Sequence, residues 1–129
     1  MTSLAIAIGG ALGALARHGA SAWLSAGSPL LATFTINMAG SLLLGLLVGW
    51  LPARRAPLAV QLGFTVGVCG GFTTFSTFAF EMTNLLQRGH VWEPVLLVGL
   101  SLVLGPLVMM AGLWISGALP LPHHDGRTS

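Results

Sequence analysis

The stretch Gly-Gly-Phe-Thr-Thr-Phe-Ser-Thr-Phe at residues 70–78 decides the fold. It lies in the middle of an apolar segment from about Leu58 to Leu86, which at about 1.5 Å per residue is too long for one straight membrane crossing. Two adjacent glycines followed by β-branched, hydroxyl-bearing residues form helix poorly. We therefore predict a helix that is interrupted within the membrane.

A break at this depth frees backbone carbonyl groups that lipid cannot hydrogen-bond. It is tolerated only where the carbonyls are buried in protein or coordinate something, and carbonyl oxygens with threonine hydroxyls suit a hard cation such as Na⁺. If the helix resumes at Thr73, Phe75 and Phe78 lie three residues apart and share a face. Paired phenyl rings are usually core packing, so the residues alone favour packing over a functional role.

Three further apolar segments flank this one. They extend from about Leu4 to Leu24, from about Leu31 to Leu51, and from Glu93-Pro94 to about Leu119. A turn at residues 27–29 and a loop at residues 52–57 separate the first three, because proline and glycine punctuate chain direction. Since about 20 residues cross the hydrocarbon core, the pattern predicts an all-α membrane protein with four transmembrane helices, the third broken mid-membrane.

The composition agrees with a lipid environment. Of the 129 residues, 54% are hydrophobic and only 6% are charged, against about 25% charged in soluble domains. A net charge of +2 is too small for a surface that binds nucleic acid. The single cysteine excludes an internal disulfide framework. No span combines a nucleophile, a base and an orienting acid, so we expect no enzyme. We predict one transmembrane domain over residues 1–122 and a polar tail at 123–129.

Orientation in the membrane is weakly encoded. Four spans place both termini on one side of the membrane. Arg54, Arg55 and Arg127 lie on that side. The other side has Arg88 and, if it reaches the interface, Arg17. A chain that inserts both ways would form an antiparallel dimer. A single, poorly encoded orientation is an equal alternative. The first segment lacks the basic region and cleavage site of a secretory signal and is expected to be a retained span.

Several polar residues lie within the spans. Thr33, Asn37 and Ser41 recur every four residues and form one stripe on the second helix. Asn37 has two interpretations of equal weight: an interhelical hydrogen bond worth about 1 kcal/mol, or an amide donor that faces an ion-filled path. Ser101, in the last span, is weaker, because a lone serine usually bonds back to its own helix.

Two ionisable residues within the spans, Arg17 and Glu81, need a partner or a route to water. Arg17 near the end of the first span either snorkels to the headgroups or lends positive potential to a vestibule, with snorkelling slightly favoured. Glu81 is the only acid within a span and has no basic residue within one turn. Its partner must come from another helix or from water.

Glycines recur at helical spacing, which predicts faces where helix backbones approach closely. The pairs and the run are Gly9 and Gly13; Gly45 and Gly49; and Gly63, Gly67 and Gly71. Four tryptophans near the span ends predict an interfacial aromatic belt. They are Trp23, Trp50, Trp92 and Trp114.

Together these residues resemble the Fluc (CrcB) family of small fluoride channels along essentially the whole chain. The match rests on residues 9–14 with Arg17, on Thr33 through Gly45, and on residues 70–78 followed by Glu81. The resemblance implies a passive channel in the inner (plasma) membrane that exports fluoride from the cytoplasm and relieves its toxicity. It further implies an antiparallel, dual-topology homodimer with two pores, each lined by both subunits.

The resemblance also implies roles for individual residues. The fluoride pathway would comprise Asn37, Ser101, Thr33, Thr77, Phe75 and Phe78, with Arg17 near the aqueous vestibule. The backbone carbonyls of Gly70 and Thr73 would hold a structural Na⁺ on the dimer axis. Amide and hydroxyl donors with the positive edges of phenyl rings replace the water of a small anion at graded strength, without the trapping that a full charge would cause.

Two positions depart from the family pattern. Leu97 and His18 stand where the family commonly has tyrosine. Leu97 supplies no hydroxyl to the polar track, and this departure has two alternative meanings: altered conduction, or a chain specialised as one half of a heterodimer with a paralogue.

Two competing functions remain. A proton-coupled exporter of the small four-helix type needs an acid in its first span, where this chain has only Arg17. A non-conducting assembly subunit would use the glycine faces but not the polar stripe or the phenylalanine pair.

Overall fold

The computed structural model describes residues 1–24 and 28–118, which are helical and contain no β-strand. The long helices are α1 (Thr2–Leu24), α2 (Pro29–Ala53) and α6 (Trp92–Ile115). The third stretch consists of α3 (Leu58–Leu62), a π-helical segment (Gly63–Cys69), α4 (Gly70–Phe72) and α5 (Phe75–Gln87). Here residues 58–72 are called the first half-helix, and α5 the second.

Three helical stretches in the described residues are long and apolar enough to cross a membrane. They are Pro29–Ala53, Leu58–Gln87 and Trp92–Ile115. The 23-residue α1 is not among them, because its glycines and alanines are only weakly apolar and Arg17 and His18 lower its hydropathy. An all-helical protein with membrane-length helices is confirmed; the count of four transmembrane helices stays a prediction.

The helix ends differ from the predicted ones by a few residues. Pro29, expected in a turn, is the first residue of α2, where its missing N–H costs no hydrogen bond. At the other end α2 continues through Pro52 to Ala53. The last helix ends at Ile115, before the predicted Leu119. Leu119, Gly27 and the predicted tail at 123–129 lie outside the described residues.

The helices pack as two parallel pairs, α1 with the first half-helix and α2 with α6. The predicted glycine faces form both contacts. A Cβ atom at Gly9 would collide with the Gly63 carbonyl oxygen, and one at Gly45 would collide with the Met109 carbonyl oxygen. Glycine is therefore required where these backbones touch, and the glycine spacing predicted this correctly.

The third helix is broken, as predicted, but not at the glycines. Gly70 and Gly71 are still helical, and the chain is extended at Thr73 (φ −80°, ψ 154°) and Thr74 (φ −149°, ψ 120°). The helix resumes at Phe75, two residues later than Thr73. The π-helical turns just before the break had no sequence prediction; such wide turns recur at functional sites in helices.

Most large apolar side chains face outward. The buried cluster is small and consists of Leu30, Phe78 and Met82, with Leu85 and Leu97 packed against it. The four tryptophans are exposed close to helix ends, as expected for an aromatic belt. A single copy thus presents an apolar exterior suited to lipid or to another apolar protein surface.

Candidate functional site

Thr73 ends the first half-helix at the break in the third helix. Both the backbone N–H and the hydroxyl of Thr73 donate to the Cys69 carbonyl oxygen, each at 2.9 Å. The helical ladder therefore finishes at this residue, and the chain turns into extended structure. Carbonyl groups near such an end have no helical partner and need one from elsewhere.

Arg17 of α1 reaches this same end. Its Nε–H donates to the Gly71 carbonyl oxygen at 3.2 Å, and the side chain is half-buried. A cation at the carboxyl end of a helix is favoured by the helix dipole. The guanidinium group therefore stabilises the end of the first half-helix from within the protein.

The second half-helix begins with a threonine cap. The Thr74 hydroxyl accepts a hydrogen bond from the Thr77 backbone N–H at 3.2 Å and donates to the Thr77 hydroxyl at 3.0 Å. A side-chain oxygen at this position satisfies one of the free N–H groups at a helix start. The predicted pathway residue Thr77 is thus part of the cap of α5.

Asn37 of α2 bridges the break itself. Its Oδ1 atom accepts from the Thr74 backbone N–H at 2.8 Å, and its Nδ2 donates to the Thr74 carbonyl oxygen at 3.0 Å. One amide side chain therefore pairs both polar groups of a residue that lies outside either half-helix. Of the two interpretations of Asn37, the structure shows the structural hydrogen bond, with the extended link of the third helix as its partner.

An open cleft of about 540 Å³ lies beside the break. It is formed by α2, both half-helices and α6. Its lining residues are Asn37, Gly40, Ser41, Leu44, Thr65, Cys69, Gly70, Thr73, Thr74, Phe75, Phe78, Ala79, Met82, Val98, Ser101 and Leu102. None of them carries a formal charge. The cleft thus combines amide, hydroxyl and aromatic groups in a neutral wall.

The two predicted phenylalanines both line the cleft but differ in environment. Phe75 is 83% exposed in the single chain, whereas Phe78 is 6% exposed and packs with Leu30 and Met82. Only Phe78 is a core residue within the chain. The Phe78 side chain therefore both packs in the core and lines the cleft.

Other predicted residues have local partners. The Ser101 hydroxyl lines the cleft and donates to the Leu97 carbonyl oxygen at 2.7 Å, the back-bond typical of a lone serine in a helix. Leu97, where a tyrosine was expected from the family pattern, packs against the buried cluster. Its side chain supplies an apolar surface there and no hydroxyl.

Three predicted residues do not line the cleft: Thr33, Thr77 and Arg17. Thr33 is 3% exposed, and its side chain lies beside the Glu81 carboxyl group of α5. The Glu81 Oε2 atom is buried without a hydrogen-bond partner among the described residues. The sequence predicted a partner for Glu81 on another helix or in water, and the neighbouring Thr33 lies on α2.

Sequence reasoning missed the importance of Thr74. A threonine three residues before another polar residue, at the restart of an apolar helix, is a capping signal that would have identified it. Its pairing with Asn37 had no such signal, because the two residues are 37 positions apart.

Comparison with known proteins identifies relatives over most of the chain. The family model described as "CrcB-like protein, Camphor Resistance (CrcB)" matches residues 4–113. A Hyphomonas neptunium protein named "Fluoride-specific ion channel FluC" is 42% identical over 88% of this chain and 93% of its own length. Proteins named "Fluoride-specific ion channel FluC 2" are 44% identical in Symbiobacterium thermophilum, over 88% and 93%, and in Bacillus subtilis, over 86% and 84%.

The relatives are named as ion channels, so the expectation of a membrane protein that is not an enzyme is confirmed. A model match from residue 4 to residue 113 covers most of the 129-residue chain. The chain therefore belongs to the CrcB-like family.

Proposed function

We propose that this protein is a passive fluoride channel whose ion path runs along the cleft beside the break in the third helix. The relatives named as fluoride-specific channels support the ion. The observation that carries the path is the neutral cleft lined by Asn37, Ser101, Phe75 and Phe78, which lies beside the middle of the longest apolar stretch.

The chemistry of the wall suits a small, strongly hydrated anion. Asn37 uses one Nδ2 hydrogen on the Thr74 carbonyl oxygen, which leaves its second amide hydrogen for the cleft. The edges of the two phenyl rings carry partial positive charge. Ser101 can donate to the ion only by giving up its bond to the Leu97 carbonyl, which makes it a weaker and exchangeable donor. Neutral groups of this kind replace water without trapping the ion.

The remaining pathway residues contribute indirectly in this proposal. Thr77 holds the cap of α5, and so sets the direction of Phe75 and Phe78. Arg17 lends positive potential at the end of the first half-helix. Thr33 is the buried end of the polar stripe on α2, and it lies beside Glu81 where α2 contacts α5.

We further propose that each chain has four spans and that two copies pair in inverted orientation. The pair would then form two paths, each lined by both subunits. The open cleft and the outward position of Phe75 support a second copy as the missing wall. Each chain contributes one domain over residues 1–122. Fluoride moves down its gradient through the inner membrane, which lowers the cytoplasmic concentration. A heterodimer with a paralogue is the alternative assembly.

A structural Na⁺ fits the residues at the break. Gly70 is exposed on the cleft with no atom within 4 Å of a Cβ position, and Thr73 has extended backbone. Both line the cleft, and backbone oxygen is a ligand that hard cations prefer. Gly70 and Thr73 would hold the ion through their carbonyl oxygens, and a second copy would supply the matching pair. The bound ion would add positive potential beside the path.

Fluoride efflux from liposomes with the purified protein tests the proposal. We expect fast, electrogenic fluoride efflux that does not depend on a pH gradient. Strict dependence on that gradient would support the proton-coupled exporter instead. Absence of flux from the protein alone, with flux restored by a co-purified paralogue, would identify a non-conducting partner subunit.

A further inference from the structure

Two adjacent arginines, at the loop between α2 and the first half-helix, have no carboxylate partner in residues 1–24 and 28–118. Arg54 and Arg55 are both exposed, and neither forms an ion pair within the described residues. The two carboxylates of that part of the chain lie elsewhere, Glu81 on α5 and Glu93 next to His90. Among the described residues, the two positive charges are therefore left unpaired.

Backbone hydrogen bonds hold this loop in a fixed shape. The Arg55 N–H donates to the Pro52 carbonyl oxygen at 2.9 Å, and the Ala56 N–H donates to the Leu51 carbonyl oxygen at 3.1 Å. In addition, the Gln61 side chain donates through its Nε2 to the Ala56 carbonyl oxygen at 2.8 Å. Arg55 itself has positive φ (54°), an uncommon conformation for a residue other than glycine. The loop therefore presents its arginines with little freedom of the backbone.

One arginine is also fixed by an aromatic ring. The Arg54 guanidinium carbon lies 5.0 Å from the centroid of the Trp50 ring, within the range of a cation–π contact. Trp50 is 48% exposed in the last turn of α2, where an aromatic ring marks the boundary between hydrocarbon and headgroups. The charged group therefore sits at headgroup depth.

The opposite end of the molecule lacks this arrangement. Arg88 follows α5 there as a single arginine, and the nearby His90 contacts Glu93 at 3.5 Å. In the described chain, one end thus has two adjacent arginines without an acid, whereas the other end has a single arginine with Glu93 nearby. Arg88 provides a matched control for the arginine pair.

We propose that Trp50, Arg54 and Arg55 form a binding site for the phosphate of an anionic lipid headgroup. Guanidinium groups bind phosphate oxygens in bidentate fashion, and adjacent arginines at a membrane surface attract anionic lipid. The aromatic ring at the hydrocarbon boundary and the exposed Leu58 beside the loop favour a lipid, with acyl chains, over a free phosphate ion. This site does not depend on which ion the protein conducts.

Native mass spectrometry of the full-length protein with added phosphatidylglycerol or phosphatidylcholine tests the site. The wild type should retain phosphatidylglycerol in preference to phosphatidylcholine. The double variant Arg54→Gln/Arg55→Gln should bind phosphatidylglycerol about thirtyfold more weakly, the effect of two basic residues near a membrane surface. Arg88→Gln should bind it like the wild type. Because the substituted side chains are exposed, the variants should fold normally, and their melting temperatures without lipid serve as the check.

Equal retention of phosphatidylglycerol by the wild type and the double variant would overturn the proposal. Equal loss in Arg88→Gln would do the same, because it would mean that total charge rather than this site decides binding. Displacement of the lipid by inorganic phosphate at the same concentration would overturn the assignment to a lipid headgroup.

Discussion

At the residue scale, the pairing of Asn37 with Thr74 explains how an interrupted helix is tolerated among apolar segments. An extended residue in this environment leaves one donor and one acceptor without helical partners, and lipid supplies neither. Asparagine is one of the few side chains that offers both groups in one planar amide. Its contacts to the Thr74 N–H and carbonyl oxygen therefore replace the missing part of the helical ladder.

Replacement of Asn37 by leucine should weaken the protein and its conduction together. The change keeps the side-chain size but leaves both polar groups of Thr74 unpaired, at a cost of about 1–3 kcal/mol in unfolding free energy. Thr35→Val is the control on the same helix, because the Thr35 hydroxyl is exposed and bonds only to Leu31 of its own helix. Thermal unfolding in detergent and fluoride efflux measure the two effects. A leucine variant as stable as the control would contradict the assignment.

At the element scale, the third helix behaves as two half-helices joined by a short extended link. Each end at the link has its own stabilising contact, from Arg17 on the first half-helix and from the Thr74 cap on the second. The first half-helix is anchored along α1 through glycine contacts. The position of the cleft therefore depends on how closely α1 packs against residues 58–72.

Gly9→Ala and Gly10→Ala form a matched pair that tests this packing. A Cβ at Gly9 would meet the Gly63 carbonyl oxygen, which belongs to the backbone and cannot move aside, whereas a Cβ at Gly10 has no atom within 4 Å. We expect Gly9→Ala to lower the unfolding free energy by about 1–3 kcal/mol. Gly10→Ala should leave it unchanged or raise it by up to about 1 kcal/mol, because alanine favours helix. Chemical or thermal unfolding of the two variants measures the difference; equal stabilities would rule out the close approach.

The elements show which features local sequence can predict. Long apolar runs and glycine spacing predicted the helices and their close contacts, because both depend on neighbours within one or two turns. The break was expected within residues 70–78 from the poor helix propensity of the glycines and of the hydroxyl-bearing residues after them, and the two glycines are nevertheless helical. The link formed instead at Thr73 and Thr74, where a side chain 37 residues away pairs the free peptide. That choice is made by tertiary contact, and helix propensity alone is a weak guide to it.

The same limit applies to the site residues. Helical spacing predicted that Phe75 and Phe78 share a face, and the family resemblance implied that they line the path; both line the cleft. Their different exposure arises because Leu30 and Met82 cover only one ring, which helical spacing does not reveal. Thr77 has a local partner in the cap of α5, a role that the family pattern did not indicate.

At the scale of the whole molecule, a single chain leaves both its apolar exterior and its cleft open. Lipid covers the first, and in our proposal an inverted second copy completes the second. The charges divide unequally between the two ends, with the arginine pair at one and Arg88 with Glu93 at the other. In an inverted pair each leaflet would then contact one arginine pair.

The proposed structural Na⁺ between two copies predicts a stability that depends on this cation. Thermal unfolding of the purified protein should occur at higher temperature in NaCl than in N-methyl-D-glucamine chloride of equal ionic strength. Above saturation, each tenfold rise in Na⁺ should add about 1.4 kcal/mol per site. Thr73→Val should preserve this dependence, because the proposed ligand is the backbone carbonyl rather than the hydroxyl. Identical unfolding in both salts would contradict a bound Na⁺.

The most direct test of the ion path compares fluoride efflux from liposomes that carry wild type, Phe75→Ile or Phe80→Ile protein. Both phenylalanines are on α5 and are largely exposed in the single chain, at 83% and 67%, but only Phe75 lines the cleft. Both variants should fold and pair normally, as size-exclusion chromatography will check. We predict that Phe75→Ile abolishes efflux while Phe80→Ile conducts like the wild type. Undiminished efflux through Phe75→Ile would contradict a fluoride path along this cleft.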